Sequence, residues 1–168
     1  MRVVGNVLAF YGKEDFLSNH HYAVFMIKDI TFDSVEKALM YAKAMLFKDH
    51  DIAEKILQAK HPQACKVLGR QVKNFNETKW AVQRPKIYRA LLKYRYDQNP
   101  ADKQRLLDTH PLILVEAAER DDIWGVKLNE SDDRIGDPTQ WKGLNICGAT
   151  QQRLREHYLT STPTSQSA

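Results

Sequence analysis

The sequence has few of the residues that build covalent or metal sites. Among its 168 residues only Cys65 and Cys147 are cysteines, and they are far apart and belong to no CxxC motif. Neither a disulfide framework nor a zinc-thiolate site is therefore expected. Six histidines are present, but none has the i, i+4 spacing of an HExxH site. We expect a cytoplasmic protein without a bound metal.

Glycine and long apolar runs are also scarce. The seven glycines form no phosphate-binding loop of the Walker or Rossmann type. This argues against a conventional NTPase or dehydrogenase, and we expect no cofactor. No apolar run is long enough to cross a bilayer, and the stretch 1–10, which Gly5 and Asn6 interrupt, favours a strand over a signal peptide. With 43% hydrophobic and 27% charged residues, the composition predicts one globular domain.

Positive charge is concentrated in one part of the chain. The net charge is only +4, yet the segment from Lys55 to Arg105 holds thirteen Lys or Arg residues against three acidic ones. Such an excess attracts phosphate, on a nucleotide or on a nucleic-acid backbone. The same excess is equally consistent with the solubility of exposed helices.

Residue patterns predict a helix-dominated α+β fold with a small antiparallel sheet and six or seven helices. We expect a single domain over residues 1–158 and a disordered polar tail over 159–168. Pro62 and Pro100 suit first helical turns, and Pro85 is predicted to begin the longest helix. The predicted strands are 2–11, 22–28, 30–32 and 112–117. The predicted helical segments are 33–47, 51–60, 62–72, 78–97 with an interruption at Pro85, 100–109 and 145–157.

The first helical pattern carries two side chains that suit chemistry. Glu36 and Lys43 are seven positions apart, so both point the same way and lie about 10 Å apart along the axis. A substrate can lie between or beside them. However, Asp33 and Glu36 also match an acidic capping box at a helix start. Lysine on a helix most often belongs to a solvated face.

Further carboxylates follow the predicted buried strand. Glu116 ends that strand, and Asp121 and Asp122 precede Trp124-Gly125 in a long polar loop over 119–142. Long loops of this kind often bind ligands. Two carboxylates that converge would supply the acid and base for cleavage of a glycosidic bond. Each of these residues also suits a cap or an ion pair.

Four other positions are candidates for substrate contact. Trp80 and Trp124 offer flat surfaces that stack on a base or a sugar, although buried core is the commoner place for tryptophan. Gly125 would let backbone approach a ligand closely. Arg70 follows a helical pattern, where a guanidinium can grip phosphate or cap the helix end.

In order and spacing, these residues belong to a set of motifs that resembles the NADAR superfamily, the YbiA-like proteins. The resemblance extends from Phe10 to Arg155, and it rests on the ordered set because each motif alone is short. The motifs are Phe16-Leu17-Ser18-Asn19, Ser34-Val35-Glu36 with Lys43 and Phe47, Leu68-Gly69-Arg70, Trp80, Leu114-Val115-Glu116, Asp121-Asp122-Ile123-Trp124-Gly125, Trp141 to Gly148, and Leu154-Arg155.

The resemblance implies an N-glycosidase, a hydrolase that acts on N-glycosyl bonds. Two substrates are implied: ADP-ribosyl-guanine in DNA or RNA, and a phosphoribosylamino-pyrimidine intermediate of riboflavin biosynthesis. Both contain a phosphorylated ribose joined through nitrogen to a heterocycle. Two alternatives are a module that binds ADP-ribose or another nucleotide without turnover, and a structural protein that binds nucleic acid. The oligomeric state is left open.

The resemblance also implies roles for individual residues. Glu36 or Asp121 would activate water or stabilise a cationic ribose, and a neutral Lys43 would attack C1 of an opened glycosylamine. Lysine can do this only if burial or a positive neighbour lowers its pKa. The residues implied to bind substrate are Ser18, Asn19, Arg70, Trp80, Glu116, Trp124, Gly125 and Asn145.

Three positions depart from the family pattern. Lys37 follows the glutamate where histidine is usual, His20 replaces a common aromatic residue, and Asp122 is acidic where a basic residue is frequent. These departures leave the implied acid and amine in place and bear on the preference for the leaving group.

Overall fold

Helices make up most of the fold, which is α+β as predicted. The computed structural model describes residues 1–161, and within them the helices are α1 (Val35–Leu46), α2 (His50–Gln58), α3 (Pro62–Gly69), α4 (Glu77–Gln98), α5 (Pro100–Asp108) and α6 (Ile146–Ser161). The strands are β1 (Arg2–Val4), β2 (Val7–Phe10), β3 (Phe25–Ile27), β4 (Ile30–Phe32) and β5 (Ile113–Glu116). Two short 3-10 helices cover Asp133–Gly136 and Pro138–Gln140.

The chain divides into two compact units. The helical unit comprises residues 12–100, and the sheet unit comprises residues 1–11 together with the described residues from 101 onward. In the helical unit, α1 packs against α2, α3 and α4, and β3 pairs with β4 in an antiparallel hairpin. Leu39, Ile56 and Leu92 are fully buried or nearly so in this unit, which places the apolar stripes of three helices in one core.

The start of α1 differs from the prediction. Ser34, not Asp33, is the N-cap, and its hydroxyl accepts a 3.3 Å hydrogen bond from the backbone N–H of Lys37. Asp33 belongs to the incoming chain: its carbonyl accepts from the N–H of Ala23, and its carboxylate lies 3.3 Å from Nζ of Lys37. The predicted capping box is therefore wrong, and Glu36 is the second residue of the helix.

Pro85 lies inside α4 and does not begin it. The helix starts at Glu77, where the side chain of Asn76 accepts a 2.8 Å hydrogen bond from the N–H of Lys79. Proline removes one helical hydrogen bond, but Pro85 is on the exposed face of the helix. Trp80 and Tyr88 are buried on either side of it along the chain, and we attribute the continuity of the helix to this packing.

The sheet unit pairs its strands differently from the simple antiparallel sheet predicted. β1 and β2 form an antiparallel hairpin around Gly5, whose φ of +59° suits a tight turn. β5 then adds to β2 in parallel, with Val7 opposite Ile113 and Phe10 opposite Glu116. The three-stranded sheet is therefore mixed, and α6 packs against β5. The core of this unit consists of Val7, Ala9, Val115, Ala117, Val126, Leu128 and Ile135.

The last helix continues beyond its predicted end. α6 extends to Ser161, so the prediction that a polar tail begins at residue 159 is wrong for residues 159–161. Tyr158 is buried and Nζ of Lys103 lies 3.8 Å from its ring centroid, which secures the last turns. The rest of the predicted tail, 162–168, lies outside the described residues. None of the helices described up to residue 161 combines the length and apolar character that crossing a membrane requires.

Candidate active site

The predicted site residues fall in both units, and each unit is described by itself. The helical unit contains Ser18, Asn19, Glu36, Lys43, Arg70 and Trp80. The sheet unit contains Glu116, Asp121, Trp124, Gly125 and Asn145.

Glu36 is buried at the first turn of α1, with 6% of its surface exposed. Its backbone N–H donates a 2.9 Å hydrogen bond to the carbonyl of Asn19, and its Oε2 lies 3.8 Å from Nε2 of His20. Burial lowers the pKa of His20, and the positive charge of Lys66 lowers that pKa further. At neutral pH Glu36 therefore faces a neutral imidazole, which leaves its carboxylate suited to accept a proton.

The loop that carries Ser18 and Asn19 is fixed from several sides. The hydroxyl of Ser18 accepts from the N–H of His20 at 3.2 Å. The side-chain carbonyl of Asn19 accepts a 2.8 Å hydrogen bond from the hydroxyl of Tyr88, which is fully buried on α4. Asn19 therefore links α4 to the start of α1 and so positions Glu36. Sequence reasoning missed Tyr88, because its spacing on α4 is that of an ordinary core residue.

Lys43 lies in a pocket of aromatic rings and backbone. Its Nζ donates a 2.8 Å hydrogen bond to the carbonyl of Gly69, at the end of α3. The same atom lies 4.4 Å from the ring centroid of Phe75 and 5.8 Å from that of Trp80. Trp80 is 4% exposed, so its ring is part of the core and also borders the amine. The helical unit thus brings together the predicted Lys43 and Trp80.

The surroundings of Lys43 favour its neutral form. Burial is the largest influence and lowers the pKa of its amine below the ordinary 10.5. Glu77 and Glu36 oppose this shift, while the positive charge of Arg70 adds to it. The pKa is lowered on balance, which is the direction of shift that favours a nucleophilic lysine.

Two further residues at this site were not predicted. Phe75 is 42% exposed and packs edge-on against Phe47, with ring centroids 5.3 Å apart. Glu77 opens α4 and forms a 2.9 Å ion pair with Arg84. A lone aromatic residue between Asn74 and Asn76 was the available signal for Phe75, whereas nothing in the sequence distinguishes Glu77 from a helix-start acid.

Arg70 occupies the C-cap position of α3, and its backbone N–H donates to the carbonyl of Val67 at 3.2 Å. Its side chain is exposed. Of the two roles considered for Arg70, phosphate binding and capping of a helix end, the structure shows that it lies at a helix end. An exposed guanidinium close enough to influence Lys43 also remains suited to binding phosphate.

In the sheet unit, Asp121 shapes the turn before Trp124. Its Oδ1 accepts hydrogen bonds from the N–H groups of Ile123 at 3.0 Å and Trp124 at 2.8 Å. This is the turn geometry that Asp favours. The structure thus gives Asp121 a local structural role, and its predicted catalytic role stays a prediction.

Asn145 binds the edge of β5 with both ends of its amide. Its Oδ1 accepts from the N–H of Glu116 at 3.0 Å, and its Nδ2 donates to the carbonyl of Leu114 at 2.9 Å. Asn145 therefore positions Glu116, which is half-buried. The predicted contact of Asn145 with substrate stays a prediction.

The packing of the chain explains why residue 125 is a glycine. A Cβ at this position would lie 2.6 Å from Cβ of Ala118 and 2.9 Å from the carbonyl oxygen of Glu116. Close packing against the chain that leaves β5 therefore excludes any larger residue. This packing accounts for Gly125 without a ligand, and its predicted contact with substrate stays a prediction.

The helical unit thus places a buried carboxylate, Glu36, and a half-buried lysine, Lys43, on one helix, with the exposed Arg70 near the lysine. The model of the NADAR domain matches residues 9–158. The chain belongs to the NADAR domain family, as its motifs predicted.

Individual relatives support this placement. Protein irg-1 of Caenorhabditis elegans is 38% identical over 136 residues, which cover 79% of this chain and 64% of that protein. N-glycosidase R617 of Acanthamoeba polyphaga mimivirus is 34% identical over 123 residues, or 73% of this chain and 72% of that protein. N-glycosidase YbiA of Escherichia coli K12 is 28% identical over 116 residues, or 69% of this chain and 66% of that protein.

The match thus spans less than two thirds of irg-1 and of YbiA. The NMR structure of the E. coli protein YbiA has a TM-score of 0.73 to this chain, with 24% identity, and covers 92% of this chain and 85% of that one. This similarity confirms the predicted fold class.

Proposed function

We propose that this chain is an N-glycosidase that hydrolyses the bond between a phosphorylated ribose and the nitrogen of a heterocyclic base or amine. The single observation that carries the proposal is the environment of Lys43. Burial lowers the pKa of its amine, and the Gly69 carbonyl fixes its nitrogen at 2.8 Å. Two relatives named N-glycosidase support the reaction class.

The chemistry follows from an amine and a carboxylate on one helix. The lone pair of Lys43 Nζ attacks C1 of the ring-opened glycosylamine, and the bond between C1 and the departing nitrogen breaks. The departing nitrogen keeps the electron pair and takes up the two protons that Lys43 Nζ gives up, so it leaves as an amine and a Schiff base remains between Lys43 and C1. Water then adds to C1 and releases the amine. Glu36 accepts a proton from the attacking amine or water.

Arg70 and the surrounding charge support a phosphorylated substrate. A guanidinium binds phosphate through two parallel hydrogen bonds. The side chain of Arg70 is exposed and so is accessible to a ligand. The excess of basic residues between Lys55 and Arg105 favours ADP-ribosyl-guanine in nucleic acid over a free phosphoribosylamino-pyrimidine.

The test offers both substrates to the protein. An oligonucleotide that carries ADP-ribosyl-guanine and a phosphoribosylamino-pyrimidine are incubated separately, and mass spectrometry measures the released sugar. We expect free ADP-ribose from the first and none from the Lys43→Ala variant. Recovery of both substrates intact after long incubation, with tight binding that Glu36→Gln leaves unchanged, would instead establish a binding module without turnover.

A further inference from the structure

A groove of about 820 Å³ lies in the helical unit, between the end of α1 and the start of α4. Leu46, Phe47 and Val82 give it apolar surface, and Lys48 and Lys79 give it positive charge. Amide and hydroxyl side chains complete the lining, and none of the described residues that line the groove is acidic. An apolar surface with bordering lysines and neutral polar groups suits a ligand that has both flat rings and phosphates.

The groove is connected to Lys43 by a row of aromatic and cationic groups. Nζ of Lys79 lies 5.7 Å from the ring centroid of Phe47. Phe47 meets Phe75 at 5.3 Å, with the rings inclined by 63°. Nζ of Lys43 lies 4.4 Å from the centroid of Phe75. The groove therefore begins one ring beyond the ring that Lys43 contacts.

We propose that this groove binds the single strand of nucleic acid that carries the substrate base. Lys48 and Lys79 contact its phosphates, and the half-exposed ring of Phe75 stacks on a base next to the reacting nucleotide. Positively charged grooves with aromatic platforms bind single strands in this way. The inference rests on the proposed function, and it selects the polymeric substrate over the free metabolite.

The position of the groove is the reason for this choice. A free phosphoribosylamino-pyrimidine with its C1 at Lys43 carries one base and one phosphate, and no neighbouring base or phosphate that would continue along a groove lined by two lysines. A strand extends past the reacting nucleotide and brings phosphates to both lysines. The exposed side chain of Val82, which is 57% accessible, adds apolar surface for bases or sugars.

The experiment measures the affinity for an unmodified, fluorescein-labelled single-stranded DNA of about twelve nucleotides by fluorescence anisotropy at several salt concentrations. The test protein is the double variant Lys48→Gln/Lys79→Gln. Its control, Lys60→Gln/Lys86→Gln, removes the same charge from two exposed lysines outside the groove. Thermal unfolding followed by circular dichroism checks that both variants are folded.

We expect the groove variant to bind about ten-fold more weakly, with a salt slope lower by about 1.4, because each phosphate contact contributes about 0.7 for a single strand. The control variant should keep most of the affinity. Phe75→Leu should weaken binding about ten-fold and leave the salt slope unchanged, because it removes stacking and no charge. Equal losses in the groove and control variants would overturn the proposal.

The outcome separates this inference from the proposed function, because the probe carries no ADP-ribose. If the groove variant loses binding and the unchanged protein releases no sugar, the groove proposal is supported and the proposed enzymatic function is contradicted. If the unchanged protein releases ADP-ribose and the groove and control variants bind equally well, the enzymatic function is supported and the groove proposal is contradicted.

Discussion

Nζ of Lys43 donates a 2.8 Å hydrogen bond to the backbone carbonyl of Gly69. The bond joins the last turn of α1 to the end of α3 and fixes the direction of the amine. Close packing of the two helices makes it possible, because the side chain of Met40 occupies the space where a Cβ of Gly69 would be. The contact between the helices thus places the reactive group.

Glu36→Gln should lower kcat by about 10²- to 10⁴-fold, since the amide cannot accept the proton that the carboxylate takes. KM should change little, because the amide keeps the size of the side chain. Steady-state kinetics on the ADP-ribosylated oligonucleotide measure both values. Glu54→Gln is the matched control, because it changes an exposed carboxylate on α2. An unchanged kcat in Glu36→Gln would remove Glu36 from the chemistry.

The rate should rise with pH as Lys43 loses its proton, with a midpoint below the ordinary lysine pKa of 10.5. Glu77 raises the pKa of Lys43 and Arg70 lowers it. Glu77→Gln removes a negative charge, so the pKa falls and the rising limb moves to lower pH. Arg70→Gln removes a positive charge, so the limb moves to higher pH. Profiles of kcat against pH for the three proteins measure these shifts.

Movement of both limbs in the same direction would contradict this account, because a purely structural disturbance has no reason to follow the sign of the charge. Substrate concentrations well above KM are needed for Arg70→Gln, since loss of a phosphate contact raises KM. Glu77→Gln also removes the ion pair with Arg84, so its unfolding curve is recorded beside its kinetics.

Gly148→Ala should destabilise the protein by about 1–3 kcal/mol. Its new Cβ would lie 2.1 Å from the carbonyl oxygen of Leu114, which belongs to the backbone of β5 and cannot turn away. Gly69→Ala is the comparison, because its nearest obstacle is Sδ of Met40, also at 2.1 Å but on a flexible side chain. Urea unfolding should show the larger loss for Gly148→Ala. Equal losses would mean that β5 moves as readily as Met40.

Asn145→Ala should lower the free energy of unfolding by about 2–4 kcal/mol, because the N–H of Glu116 and the carbonyl of Leu114 both lose a partner. Asn145→Gly loses the same two hydrogen bonds but accepts a left-handed backbone without strain, so its loss should be smaller. The left-handed φ of +50° adds to the cost of alanine. Urea unfolding of both variants measures the difference. If Asn145→Ala were as stable as the unchanged protein, the structural role of Asn145 would be contradicted.

The sequence allowed most elements to be predicted, because apolar periodicity and breakers are local signals. It misplaced the N-cap of α1 because Asp33 and Ser34 are both good caps, and only the tertiary bonds of Asp33 to Ala23 and Lys37 decide between them. It misplaced the start of α4 because packing of Trp80 and Tyr88 outweighs the lost hydrogen bond at Pro85. The parallel partner of β2 is strand β5, whose paired residues lie 106 positions further along the chain, and this pairing leaves no local trace in the sequence.

For the candidate site, helical spacing singled out Glu36 and Lys43, the resemblance implied their roles, and the structure showed their surroundings. The lowered pKa of Lys43 depends on burial and on Arg70, which comes from another helix. The positioning of Glu36 depends on Asn19 and, through it, on Tyr88. Such relations between distant positions cannot be read from spacing along the chain. The catalytic role predicted for Asp121 stays a prediction, and an unchanged kcat in Asp121→Asn would contradict it.

The most direct measurement is reductive trapping of the reaction intermediate at Lys43. The protein is mixed with the ADP-ribosylated oligonucleotide in the presence of sodium borohydride, digested, and analysed by mass spectrometry. We predict a stable sugar adduct on the peptide that contains Lys43, and none in Lys43→Arg, whose guanidinium stays protonated. Full turnover by Lys43→Arg, with no adduct on the unchanged protein, would contradict the central claim that Lys43 is the nucleophile.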